Sequence, residues 1–320
     1  MTVARLLACK GHEVLLIDPS LPTTKRLELL APASRGTLAA LGLLSLLEDP
    51  KIARPCLGIR RQWGSLEAEY EDFLRHPYRT GHVVDRAGFD RHLHAAAAVA
   101  GVKFCRARVS GIAPRGGVRV HPRDGGAGIL RFRRAVIDAT GRAAVIARRN
   151  GARLELRDRM VAELIEQVVP AASATTPAWL EFAKDASGWS YRIHGPGGQA
   201  QTWRIRRSAM PPAASALLRV DASARMLSVA AGERWIAVGD AASAFDPIAS
   251  QGLFNALSSA LVAAGALLSA DGLSPATALL YADAVATTFA WSEAGRSNIY
   301  GRDIQTITVH NVGPRGGIYD

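Results

Sequence analysis

Apolar positions along the chain recur in short runs, some at helical and some at strand spacing, separated by glycine- and proline-bearing breaks. Val3, Leu6 and Leu7 fall on one helical face within residues 2–10, and Gly11 is placed to end that helix. Residues 13–17 read as an apolar strand closing on Asp18. Residues 26–47 predict a loop, then a helix over 33–41 that breaks at Gly42. Residues 58–70 alternate as strands do, with Trp63 and Tyr70 either facing a pocket or standing on an exposed hairpin. An extended pair, Val83–Val84, leads into a helix starting near Arg86. Strands are expected over 102–112, 117–121 and 125–134, and a strand running into an Ala-Thr-Gly turn over 135–142. Residues 151–224 hold strand-like pieces and a Pro/Ala-rich turn at 210–214. A short apolar strand, Trp235–Val238, then meets Gly239 and Asp240; Ser250, Gln251 and Gly252 open a long uncharged helix, and a further helix spans 274–291.

The uncharged stretch 248–270 has about the length a bilayer requires, but it carries Gln251, Asn255, Ser258, Ser259 and Ser269 behind a small-residue loop, which makes it a buried helix. At 320 residues, 48% hydrophobic and 21% charged, the chain can bury a core or two. Its net charge of +11 is supplied almost wholly by arginine, spread along the chain without aromatic interleaving or a helix-turn-helix pattern. That argues against nucleic acid and leaves an acidic partner or anionic substrate. Cys9, Cys56 and Cys105 are an odd number without Cys-x-x-Cys spacing, so neither a disulfide framework nor zinc is expected, and a reducing, cytoplasmic setting fits. His92 and His94 lie two apart and face different ways on a helix, so no metal site is expected. The opening residues meet His12 and Glu13 too early for a signal peptide.

The chemistry concentrates at 233–260. A strand ending in Gly-Asp sets one carboxylate at the carboxyl edge of a sheet, where open α/β folds bind ligands. The helix behind it aims unpaired N–H groups and its positive dipole end at the same place. The wording G-D-A-A-x-x-x-x-P-x-x-x-Q-G-x-x-x-A-L resembles the second flavin-binding motif of FAD-dependent monooxygenases of the para-hydroxybenzoate hydroxylase superfamily. It departs from that motif at Ser243, where the family has histidine, and at Ser250, where it has glycine. The segment D-P-I-A-S-Q-G-L-F-N-A-L is closer to the branch holding the tryptophan halogenases and the flavoproteins that modify tryptophan in quinone-cofactor amine oxidases.

The resemblance implies an α/β fold: a Rossmann-like FAD-binding domain (1–50, 79–150 and 225–290) with an inserted, mainly β substrate domain (51–78 and 151–224) and a tail over 291–320. It places Asp240 on the ribityl chain and Gly252 at the N1–C2 edge of the flavin ring, with Gly239, Pro247, Gln251 and Leu253 around them. Thr140 and Gly141 belong to the second FAD-domain signature, where small residues let the chain pass close to the cofactor. Arg86, in R-x-x-F-D-x-x-L, is implied to reach the pyrophosphate. Glu28, Leu30 and Pro32 match an E-x-L-P-P segment. Asp18 is the candidate for the adenosine ribose, as the end of the second half of a dinucleotide-binding βαβ unit. The family's first strand and G-x-G-x-x-G loop are expected just ahead of Thr2, so the FAD domain reads as truncated at its amino end.

Within Gly188–Gly198, Trp189 and Tyr191 fit a looser G-W-x-Y segment of the same branch, and His194 is the candidate proton-transfer residue. The implied activity is oxygenation of an aromatic substrate, tryptophan or a tryptophan peptide included, through a flavin hydroperoxide, with NAD(P)H or a reductase as electron source. A halogenase is the alternative, although Lys10, Lys25, Lys51, Lys103 and Lys184 include none in a recognisable catalytic setting; a non-catalytic flavin-fold fragment is the other.

Overall fold

The computed structural model describes residues 1–19, 26–63, 67–114, 116–123, 125–168, 177–210, 216–270 and 272–310, with 302–310 described by backbone alone. Six helices are present among them: α1 Thr2–Ala8, α2 Ser34–Ala40, α3 Arg86–Val99, α4 Val145–Arg149, α5 Gly252–Leu268 and α6 Pro275–His310. None is long and apolar enough to cross a membrane.

One half is built on two pieces of sheet. In one, Leu15–Asp18 pairs in parallel with Lys103–Arg106, the start of a strand that runs on to Ala113 and into an antiparallel meander with Gly117–Pro122 and Gly128–Arg131. In the other, Trp235–Ala237 lies between Ala231–Gly232 and the parallel strand Val136–Asp138. Helix α1 packs on α3 and α5. Tyr281 of α6 is buried against the second sheet and its hydroxyl donates to the Ala237 carbonyl at 2.6 Å.

The other half is a nine-stranded sheet. Its order is Leu218–Asp221, Met160–Val168, Ala200–Arg207, Gly188–His194, Ala178–Asp185, Ala53–Gln62, Gly81–Asp85 and Leu27–Leu30, with Glu69–Asp72 added on Ala53–Gln62. It takes in Leu27–Leu30 and Gly81–Asp85 as well as the stretches read as substrate domain. One face is apolar and aromatic: Phe182, Tyr191 and Trp203 stand opposite one another across three neighbouring strands. Such cross-strand aromatic pairs stabilise a sheet by about 0.2–1 kcal/mol each. The other face carries ion pairs, among them Arg192–Glu166 at 2.7 Å.

Several local expectations change. The helix read over 274–291 continues to His310, because Gly295 and Gly301 fall within an otherwise helical run that meets no proline before Pro314. The turn at 210–214 lies outside the described residues beyond Met210, as does 311–320. Trp63 packs at 6.2 Å from Trp189 and 5.9 Å from Tyr300, whereas Tyr70, 63% exposed, stands edge-on to Trp179 at the surface.

Candidate functional site

Between the two halves lies a cavity of about 2730 Å³. Asp18, Arg86, Thr140, Gly141, Gly239, Asp240, Pro247, Gln251, Gly252 and Leu253 all border it. The sequence between Trp235 and Leu268 explains the geometry of its central wall. The strand is wholly buried, so it ends where Gly239 turns with φ +57°, a left-handed conformation that favours glycine. A Cβ at Gly239 would also lie 3.3 Å from that of Ala256, so the turn is held close against α5. Ser259 of α5 accepts from the Gly239 N–H at 2.9 Å and fixes the contact.

Asp240 follows, with its side chain 40% exposed into the cavity. Burial in the cavity wall pushes its carboxyl above the usual carboxylate range, against the pull of Arg142. Asp246 caps a single 3-10 turn, Pro247–Ala249, by accepting from the Ile248 N–H at 2.9 Å, and Ser250 then reverses the chain at φ +49°. A left-handed non-glycine residue costs roughly 1–2 kcal/mol, which accounts for glycine at that place in the motif this stretch resembles. No side chain caps α5, whose first residues, Gly252 and Leu253, open onto the cavity behind the exposed Gln251. One carboxylate and one uncapped helix mouth therefore meet on one wall, and a Cβ at Gly252 or Gly141 would find nothing within 4 Å.

The Ala-Thr-Gly turn is held by Asp138, which is fully buried. Its Oδ1 accepts from the Thr140 N–H at 3.0 Å and hydroxyl at 2.6 Å, and its Oδ2 accepts from the Ile146 and Ala147 N–H groups at 2.8 Å each. Thus one carboxylate ties the strand end to the start of α4. Arg142, the last residue of the same turn, lies 3.6 Å from Asp240 and 3.7 Å from Asp221 and donates to the Ser223 carbonyl at 2.7 Å.

Two of the sequence candidates stand differently from expectation. Arg86 borders the cavity, but its guanidinium is committed to Glu28 at 2.6 Å and Asp90 at 3.1 Å, with two carboxylates raising its affinity for its proton. His194 does not border the cavity. On Gly188–His194 the residues Tyr191 and Ile193 face it, and strand alternation turns His194 to the opposite side, 4.0 Å from Glu181, where burial lowers its pKa.

The same alternation identifies what the sequence reading missed. Tyr191 and Trp203, nearly parallel rings 6.5 Å apart, border the cavity with Leu180 and Ile193, and the Arg26 guanidinium lies 5.5 Å from the Trp203 ring. Asp246, 2% exposed, borders it too, and its Oδ2 accepts from the Tyr300 hydroxyl at 3.2 Å. Burial, with Asp158 nearby, pushes Asp246 up to about 6. Among the described residues no cluster of His, Cys, Asp and Glu is arranged to hold a metal.

No family model and no curated protein matches the chain. Solved structures do. Peptidyl tryptophan dihydroxylase QhpG, described as essential for tryptophylquinone cofactor biogenesis, is 21% identical, with 93% of this chain and 72% of that one covered at a TM-score of 0.72. BrvH, a flavin-dependent halogenase from Brevundimonas sp. BAL3, is 16% identical over 93% of this chain and 74% of its own, at 0.73. The myxobacterial chondrochloren halogenase CndH, described as a variant of FAD-dependent halogenases, is 21% identical over 83% and 72%, at 0.69. With its strand–Gly-Asp–helix wall and its aromatic-faced sheet on two sides of one cavity, the chain has the fold shared by the flavin-dependent halogenases and QhpG.

Proposed function

We propose that the chain is an FAD-dependent oxidoreductase of the monooxygenase type that oxygenates an aromatic substrate. The observation that carries this reading is the meeting of the Asp240 carboxylate and the uncapped mouth of α5 on one cavity wall, beside the Thr140–Arg142 turn. The residues present fit the group. Asp240 would accept from ribityl hydroxyls, and the Gly252 and Leu253 N–H groups would face the N1–C2 carbonyl edge of the ring. Asp18 would take the adenosine ribose. Bound and reduced, FAD supplies the capacity to activate O2; the protein supplies orientation, a low-dielectric pocket and a helix dipole that favours negative charge.

The substrate wall is the aromatic row of the large sheet. Tyr191 and Trp203 offer flat apolar surface for a ring, with Leu180 and Ile193 excluding water beside them. Tyr191 keeps its proton, because burial raises its pKa, and so presents a neutral hydroxyl. Among the described residues the lysine that borders the cavity is Lys103, ion-paired with Glu13 at 2.6 Å at the start of its strand, away from Tyr191 and Trp203. That placement favours oxygenation over halogenation. NAD(P)H or a partner reductase would deliver the electrons.

The test is a visible spectrum of the purified chain after incubation with FAD and desalting, followed by turnover of indole and tryptophan-peptide substrates with chemically reduced flavin and O2. Retained flavin bands and products heavier by one oxygen are expected. Absence of retained flavin would remove the enzyme reading, and a chloride-dependent product would replace oxygenation by halogenation.

A further inference from the structure

Arginine is spread along the chain, but the carboxylates that balance it are not. Residues 103–153 hold 13 of the 39 Lys and Arg residues and 2 of the 28 Asp and Glu residues, a net of +11; the rest of the chain holds 26 of each sign and is neutral. The whole excess charge therefore belongs to one segment. Of its two acids, Asp138 is fully buried and spent on backbone N–H groups and the Thr140 hydroxyl, and Asp124 lies outside the described residues. Such a concentration repels itself and weakens the compact state, so it points to a counterpart of opposite sign.

The segment folds as the meander Lys103–Ala113, Gly117–Pro122 and Gly128–Arg131, with α4 packed on its first strand. One face turns Val109, Val118 and Leu130 to the core. Register settles what stands on the other. Arg108 is opposite His121, Arg119 is opposite Gly111, and Arg131 is opposite Gly117, so the three arginines share the outer face and run diagonally across three neighbouring strands. Diagonal neighbours in a sheet lie about 7–8 Å apart. Arg149 of α4 reaches over the same face, its Cγ 3.5 Å from where a Cβ on Gly111 would stand. All four are exposed, and among the described residues no ion pair reaches Arg108, Arg119 or Arg149.

We propose that the outer face of the meander docks an acidic segment of a partner protein, laid in extended form along this diagonal. Alternate side chains of an extended chain repeat about every 6.5–7 Å, close to the spacing of the arginines. Asp or Glu at every second position therefore meets Arg108, Arg119 and Arg131 in turn, and each planar guanidinium can take a carboxylate through two parallel N–H bonds. Ile129, 55% exposed and opposite Arg119, adds an apolar contact. A nucleic acid strand fits this face less well, because its bases would find no ring to stack on. Both aromatic residues of the segment are taken: Phe104 stacks on His94 at 4.1 Å, and Phe132 lies 5.1 Å from the Arg234 guanidinium. A second copy of this chain is no counterpart, since outside the segment its charges cancel. The inference stands apart from the FAD reading, for Arg119, at the centre of the row, does not border the cavity.

The probe is a fluorescein-labelled peptide of about ten residues, the length of a long strand, in which Glu alternates with Thr. A second peptide of the same composition gathers its glutamates in one block. Anisotropy titration with the 320-residue chain is expected to show saturable, one-to-one binding of the alternating peptide, at least about threefold tighter than the blocked one. Binding should weaken as ionic strength rises from about 0.01 to 0.1 M and the screening length falls from about 30 to 10 Å. Arg119→Glu, which turns an attraction into a repulsion, is expected to weaken it about tenfold, and Arg119→Gln, which only removes the charge, about threefold. Arg207→Glu, at an exposed residue of the large sheet, should leave it within about twofold. Lack of saturable binding overturns the proposal. So do equal affinities for the two peptides, or equal losses in Arg119→Glu and Arg207→Glu, which would mean that net charge acts without a docking face. Tighter binding of a single-stranded RNA of equal charge, or of phosphatidylserine vesicles, overturns it in favour of nucleic acid or an anionic membrane.

Discussion

Replacing Asp240 by asparagine isolates the contact on which the cofactor reading turns. Asparagine keeps the volume and one acceptor oxygen, but it removes the charge and turns an NH2 group toward Arg142, whose Nε lies 3.6 Å from the native carboxylate. Hydrogen bonds to a charged acceptor contribute about 1.5–3 kcal/mol each and neutral ones about 0.5–1.5, and asparagine still supplies a neutral one, so the net loss is about 1–1.5 kcal/mol. That corresponds to an FAD dissociation constant raised about 5- to 12-fold. Stability without FAD should behave differently. Because burial already disfavours the ionised form of Asp240, its neutralisation costs the empty fold little. Titrating FAD by its fluorescence, alongside urea unfolding of the FAD-free chain, separates the two effects. A dissociation constant within about twofold of wild type would sink the assignment, since about 0.4 kcal/mol is too little for a charged contact. A parallel fall in FAD-free stability would show instead that Asp240 holds the fold.

Other outcomes follow from the buried polar groups. Asp246 holds its proton up to about 6, against an ordinary 3.8. Between those values the folded chain binds a proton that the unfolded chain has released, so stability is lost as pH rises through the window, by about 3 kcal/mol. Asp246→Asn should remove that loss, and denaturant midpoints from about pH 4 to 7 should diverge in the variant's favour; parallel curves would refute it. Asp138→Asn trades two of four accepted bonds for misplaced donors and should cost about 3–5 kcal/mol in urea unfolding. Ser250→Gly relieves the left-handed residue and should raise stability by about 1 kcal/mol. A lower denaturant midpoint there would mean that the serine makes a contact worth more than the strain.

The wall from Trp235 to Leu268 was legible because every part of it is local: an apolar run, a Gly-Asp pair, a proline turn and an uncharged helix lie within thirty-four residues. Arg86 was named from its motif, but the ion pairs that hold it were not legible because its partners are not all local. Asp90 sits one turn away, but Glu28 is 58 positions distant and reaches it only through the pairing of Leu27–Leu30 with Gly81–Asp85. His194 attracted attention as a residue type, whereas the alternation that turns Tyr191 and Ile193 into the cavity sends it to the far side. Arg142 was visible as the last residue of AVIDATGR, but its position between Asp221 and Asp240 depends on long-range packing. The residues beyond 291 were read as a tail, yet the isolated glycines at 295 and 301 cost a helix only about 1 kcal/mol each, and α6 runs on to His310.

The strand Gly81–Asp85 belongs to the large sheet, and the next residue, Arg86, already begins α3, which packs on α1 in the other half. The Asp85 carboxylate caps that helix by accepting from the Gly88 N–H at 3.0 Å. With no slack between them, the two sides of the cavity are welded at this seam. The width of the chamber is therefore a fixed dimension there, and a ligand enters without a hinge opening at Asp85.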